Sequence, residues 1–206
     1  MRTFNYSDIL NLEKRDRVQL ITHITGPRSA HLIGTYNSDK TTNLAIFNTI
    51  SHIGSNPPYL GFIMRPTTVE RHTYNNIKSN GYFTVNQVHS EFYKKAHQTS
   101  AKYAEGVSEF KATGLTSEIL ESFEAPFVKE SQIKIGLSFQ EEQSIKCNNT
   151  ILIIGRIEKI FLPESALSNQ LILNHQNMDT ICASGFDTYY TVQKMDQLDY
   201  ARPKSI

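Results

Sequence analysis

The sequence predicts a mainly β protein, an antiparallel barrel with a few short helices at its margin. Three observations carry this reading. About six short apolar runs recur along the chain, separated mostly by polar turn clusters and seldom by long helical stretches. Two of these runs are interrupted by an isolated glycine, Gly136 and Gly155, as happens at bulges or corners of a closed sheet. No GxGxxG follows any strand-like run, which argues against a doubly wound parallel sheet.

The elements follow in order. Ser7 and Asp8, then Ile9, Leu10 and Leu12, predict a short capped N-terminal helix on the outside of the barrel. After the Gly26-Pro27 break, 29–36 and 42–50 read as strands joined by the turn cluster Asn37-Ser38-Asp39-Lys40. Asn56-Pro57-Pro58 ends that segment, a compact strand resumes over 59–64, and Arg65-Pro66 stops it. Thr67 or Thr68 is placed to cap a helix from about 69 to 79, with Val69, Thr73 and Ile77 on one face and Asn80-Gly81 as its exit. Strands follow over 82–88, 131–139 and 150–162, with a polar helix over 91–104 between the first two. The tail after Leu162 has no clear period.

At 206 residues the chain is long enough to bury one full core, and a single domain over 1–206 is expected. Lys and Arg total 21 against 20 Asp and Glu, a net charge of +1 that creates no field to gather nucleic acid or an anionic membrane. The longest aliphatic run, 151–154, is too short to cross a bilayer, and MRTFNYSDILNLEKRDR lacks the apolar centre of a secretory signal. Two cysteines, Cys147 and Cys182, make neither a disulfide framework nor a metal-binding pair of pairs, so a reducing cytoplasm is expected. His23 and His31 have no carboxylate partner at metal-like spacing, and no metal is expected. Walker, HExxH, GxSxG and CxxC signatures are absent from the chain.

The informative stretch is 43–81, where two apolar runs lead into a helix whose start carries threonines and Arg71. A helix start offers free N–H groups and a positive dipole end, and a guanidinium beside it favours a phosphate. A phosphorylated aromatic cofactor, lying against the neighbouring sheet, suits this arrangement. Read alone, Arg71 is by base rate a solvated surface charge, while Thr73 and Asn76 are equally ordinary helix positions, and Asn48, Thr49 and Ser51 equally the wet face of a strand. No Asp or Glu occurs over 43–56, so the segment offers hydroxyls, amides and backbone donors only.

NLAIFN, SNPP, RHTYNNI and YFTVN occur in this order and spacing, followed by Gly106-Val107-Ser108-Glu109-Phe110, Ala125-Pro126-Phe127-Val128 and Ile153-Ile154-Gly155. Over about residues 20–162 the chain thereby resembles the flavin reductase-like, FMN-binding split-barrel family. The resemblance implies a Greek-key-like antiparallel split barrel with flanking short helices, a barrel core of about 20–162 and a C-terminal extension over 163–206. It further implies a homodimer that binds FMN near the subunit interface and reduces it with NADH or NADPH. Carried over by position, Asn48, Thr49 and Ser51 match residues bordering the ring and ribityl chain, Ala45 and Phe47 pass close to the ring, and Arg71, Thr73 and Asn76 match the phosphate motif. No acid–base residue is required, because the cofactor performs the transfer. The chain departs from the family pattern where many short flavin reductases carry a histidine before the last barrel strand; here stand Asn149 and Thr150. That departure keeps open a second reading, a flavoredoxin-like electron carrier without nicotinamide turnover. A pyridoxamine phosphate oxidase is disfavoured by the lack of a second basic cluster.

Overall fold

The computed structural model describes residues 1–104 and 106–203. Two helices open the chain, α1 (Tyr6–Asn11) and α2 (Lys14–His23), and neither has a buried residue. The cap of α1 is Asn5 and not Ser7, because Asp8 reaches back to the Asn5 N–H at 2.8 Å to complete a capping box. Arg17 of α2 then closes the exit of α1, donating from Nη1 to the carbonyls of Leu10 at 2.7 Å and Leu12 at 3.2 Å.

The strands β1 (Arg28–Ser29), β2 (His31–Tyr36), β3 (Thr42–Phe47), β4 (Ser51–Ser55) and β5 (Pro58–Met64) precede α3 (His72–Asn80) and β6 (Tyr82–Gln87). Short helices α4 (Tyr93–Gln98) and α5 (Glu109–Thr113) follow, then the two-residue strands β7 (Ser117–Glu118) and β8 (Phe127–Val128). A long hairpin of β9 (Lys134–Ile145) and β10 (Thr150–Phe161) completes the main sheet, and β11 (Ile181–Ser184) and β12 (Thr188–Thr191) form a C-terminal hairpin. Seven strands pair antiparallel in the order β3-β2-β6-β9-β10-β5-β4. The two end strands, β3 and β4, are therefore neighbours in sequence but not in the ladder, and the gap between them is the split in the barrel.

Alternation explains how both faces are filled. Ile33, Phe62, Phe83, Val85, Leu137 and Ile153 form the inner cluster, and Ile77 of α3 joins it. The intervening residues Leu32 and Leu44 face outward onto a second cluster with Phe92 of the loop before α4, Phe110 of α5, and Ile181 and Ala183 of β11. Gly155 falls at a register shift between β9 and β10, and a Cβ there would lie 2.6 Å from the Phe83 ring. The glycine expected at a corner is required by the close approach of that ring.

Several elements differ from expectation. The strand expected over 42–50 stops at Phe47, and after a three-residue link comes an unexpected strand, β4, whose exposed Ser-His-Ile-Gly-Ser sequence carries no alternation to announce it. The helix expected over 91–104 is confined to α4. The tail after Leu162 folds back so that β11 pairs with β1, at Arg28↔Ala183 and Ser29↔Cys182. Among the described residues, no helix is long and apolar enough to cross a membrane, and no group of three or more His, Cys, Asp or Glu is arranged to hold a metal ion.

Candidate functional site at the barrel split

The open edge of β3 is the first component of the site. Residues 43, 45 and 47 pair with Thr35, Ile33 and His31 on β2, so the peptide groups of Leu44 and Ile46 turn toward the split. The Leu44 N–H is met there by Glu109 Oε2 at 2.9 Å, and the Ser108 hydroxyl beside it bonds Thr42 Oγ1 at 2.7 Å. Burial pushes the Glu109 carboxyl above its usual range, an effect that the Leu44 N–H opposes. The Ile46 N–H lies on the same edge.

The link between β3 and β4 holds the split at a defined width. Thr49 Oγ1 donates to the Ile63 carbonyl at 3.3 Å and accepts from the Ile63 N–H at 3.2 Å, fastening the link to β5 with one side chain. Asn48 Nδ2 donates to the Gly185 carbonyl at 3.3 Å, in the turn of the C-terminal hairpin. Ser51 is exposed at the start of β4, opposite Gly61. The Phe47 ring turns inward and packs edge-on against Phe62 with centroids 5.1 Å apart. Ala45 shares that inward side by alternation, so β3 offers the split its backbone and not these two side chains.

Two arginines flank the opening. Arg65 follows β5 directly, and its guanidinium lies over the Phe186 ring, 4.8 Å from the centroid. Arg71 is the N-cap of α3, in extended conformation with φ −128° and ψ 91°, and directs Nε toward the Pro66 carbonyl at 3.4 Å. The Arg65 guanidinium is held below its usual pKa first by burial and then by the positive charge of Arg71. Among the described residues neither arginine forms an ion pair with a carboxylate. Two cations that repel one another without an intervening anion make a site for one.

The sequence reading singled out Arg71 and missed Arg65, which it took only as a strand stop. It also started α3 too early. Val69 is 56% exposed, and the buried face begins at Thr73 and continues through Asn76 and Ile77, so the helix starts at His72 and Thr67 and Thr68 lie in the preceding turn. Thr73 and Asn76 do not line an exposed helix start. Asn43 Nδ2 donates to Thr73 Oγ1 at 3.1 Å and Thr35 Oγ1 at 3.0 Å, while Asn76 Nδ2 donates to Thr35 Oγ1 at 3.0 Å and Asn37 Oδ1 at 2.8 Å. The burial of these side chains makes them fasteners of α3 to β2 and β3.

Three histidines that the sequence sets near these elements have local partners. His52 Nε2 meets Ser55 Oγ at 2.9 Å within its own strand, and His72 Nε2 lies 3.8 Å from Glu70. His97 Nδ1 bonds the Tyr189 hydroxyl at 2.9 Å, and burial followed by the neighbouring Asp187 pushes that phenol up to about 12. A cavity of about 380 Å³ beside α3 includes Asp39 and Glu70, two carboxylates that oppose a phosphate. A larger one, about 810 Å³, lies wholly within the C-terminal segment, between residues 165–176 and 192–197. Neither includes Arg65 or Arg71.

A split barrel, an open strand edge and a guanidinium pair fit a planar ligand with an anionic tail, and comparison with known proteins points the same way. A structure from Shewanella frigidimarina, a split-barrel protein proposed as a flavin reductase, is 42% identical and aligns over 98% of this chain and 100% of that one with a TM-score of 0.94. Nitrilotriacetate monooxygenase component B from Bacillus cereus is 19% identical, with 96% and 98% of the two chains aligned and a TM-score of 0.83. Flavoredoxin of Desulfovibrio vulgaris is 23% identical, with 83% and 90% aligned and a TM-score of 0.73; both of these likenesses concern the fold. The model of the flavin reductase like domain matches residues 25–181, and this chain belongs to that family.

Proposed function

We propose that the protein is an FMN-dependent oxidoreductase that takes reducing equivalents from NADH or NADPH and passes them to free flavin or a protein acceptor, working as a cytoplasmic homodimer. The observation that carries this reading is the Arg65–Arg71 pair, two guanidiniums at the mouth of the split with no carboxylate partner among the described residues. A terminal phosphate dianion suits that pair better than the neutral alcohol of riboflavin. Bound flavin would supply the chemistry, accepting hydride from the nicotinamide, which leaves oxidised, and releasing two electrons to the acceptor.

The residues bind and orient. Arg65 and Arg71 neutralise the phosphate; the Ile46 peptide group, Asn48 and Thr49 border the ring; Ser51 lies further along the opening. Thr73 and Asn76 act one step removed, fixing where α3 begins and so where Arg71 stands. The 43–56 segment itself adds no Asp or Glu beside a ring that would be anionic when reduced, and the carboxyl that does reach the β3 edge, Glu109, has its charged form disfavoured by burial.

The carrier reading rests on the turn between β9 and β10, where Asn149 takes a left-handed conformation with φ 58° and Asn148 Oδ1 accepts from the Thr150 N–H at 3.1 Å. No histidine stands there to meet a nicotinamide. Anaerobic addition of NADH and NADPH to FMN-loaded protein, followed by steady-state oxidation with FMN in excess, separates the two. A reductase turns over, whereas a carrier is reduced at most once. For the cofactor itself, Arg71→Ala and Arg65→Ala are each expected to weaken FMN about tenfold or more while leaving riboflavin within about twofold. Equal losses for both ligands would remove the arginines from this role.

A further inference from the structure

The Arg65 guanidinium carbon lies over an aromatic ring. Phe186 lies under it at 4.8 Å, and no hydrogen bond from its N–H fork is formed to any described residue. A cation stacked on an aromatic ring keeps its in-plane donors free for a second partner. Phe186 itself is 53% exposed, so its ring is open to solvent beside the cation.

The turn that presents Phe186 is tightly placed. Gly185 has φ +62°, and a Cβ there would lie 2.1 Å from the His23 ring. Its carbonyl accepts from Asn48 of the β3–β4 link, and His23 Nε2 approaches Thr188 Oγ1 at 3.4 Å. On the far side Tyr189 bonds His97 and packs on Tyr93, and β11 pairs with β1. The hairpin is thus fastened to α2, α4, β1 and the β3–β4 link, and its turn sets Phe186 under Arg65. The family match ends at residue 181, before this turn.

We propose that Phe186 is a positioning residue: it holds Arg65 with the guanidinium fork turned to the anion, so the C-terminal hairpin completes the phosphate cradle of the barrel. This rests on the flavin reading above. It identifies a determinant of phosphate recognition outside the barrel.

The test measures dissociation constants of FMN and riboflavin by quenching of flavin fluorescence, excited in the visible, in wild type, Phe186→Ala, Phe186→Leu and Phe186→Trp. Phe186→Ala should weaken FMN about three- to tenfold and riboflavin less than twofold. Phe186→Leu, which keeps an apolar side chain without a π face, should match alanine, and Phe186→Trp should restore FMN affinity to within about twofold. Unchanged FMN affinity in Phe186→Ala overturns the proposal, as does equal weakening of both flavins, which would mean a loosened hairpin. If Arg65→Ala and Arg71→Ala discriminate FMN from riboflavin while Phe186→Ala does not, the flavin reading stands and this inference alone falls. A wild type that binds neither flavin overturns both.

Discussion

Replacing Asn76 by alanine asks whether the R-x-T-x-x-N run grips a ligand or holds a helix. Asn76 is 6% exposed and donates two hydrogen bonds, to Thr35 Oγ1 at 3.0 Å and Asn37 Oδ1 at 2.8 Å. Each such bond contributes about 0.5–1.5 kcal/mol net. Thr35 Oγ1 retains a donor from Asn43, so the orphaned acceptor is Asn37 Oδ1, at the edge of a polar cavity that includes Asn37. With the small void left by the side chain, the loss comes to about 2–3 kcal/mol. For a domain of this size that corresponds to a fall in Tm of about 4–12 °C. Thermal and urea unfolding followed by circular dichroism measure it, with FMN and riboflavin affinities taken on the same preparation. A helix fastener that sets where Arg71 stands predicts the fall in stability together with a loss of FMN affinity larger than that of riboflavin, which has no phosphate. Stability within about 0.5 kcal/mol of wild type, together with selective loss of FMN, would refute the structural role and make Asn76 a direct phosphate ligand.

Two further expectations concern pH. Glu109 has its folded pKa raised above 4.5 by burial, so its favourable contribution is present below 4.5 and is lost as pH rises through the folded value. Glu109→Gln keeps an acceptor for the Leu44 N–H without the charge, and its Tm relative to wild type should climb between pH 4.5 and pH 7; a constant difference would contradict this. His31 is shifted the other way, from 6.5 to about 4, chiefly by burial, and its Nδ1 is buried without a hydrogen-bond partner among the described residues. Its contribution is full above pH 6.5 and declines toward pH 4, so the urea midpoint of wild type should fall more steeply over that interval than that of His31→Gln. Parallel declines would show that His31 does not titrate in this way.

What the sequence disclosed follows from the range of the interactions concerned. The strands of the inner core were readable because Phe83, Val85 and Leu137 sit in apolar runs bounded by turns, and the buried ring of Phe83 accounts for the glycine at 155. β4 left no trace because both of its faces are wet, and the boundary of α3 was obscured by Val69, an apolar residue that remains in solvent. Arg65 could not be recognised from its neighbours in sequence. Its meaning comes from Arg71 across a turn and Phe186 from the far end of the chain. The C-terminal hairpin was hidden for the same reason, since Ala183 pairs with Arg28 and Tyr189 with His97, partners invisible to any local window.

Because one aromatic of the tail bears on a cation at the barrel mouth, selectivity for the charged end of a ligand is separable from the scaffold that accommodates the rest of it. Divergence in this appendage could retune which flavin is retained and which is released, without disturbing a single strand of the central sheet.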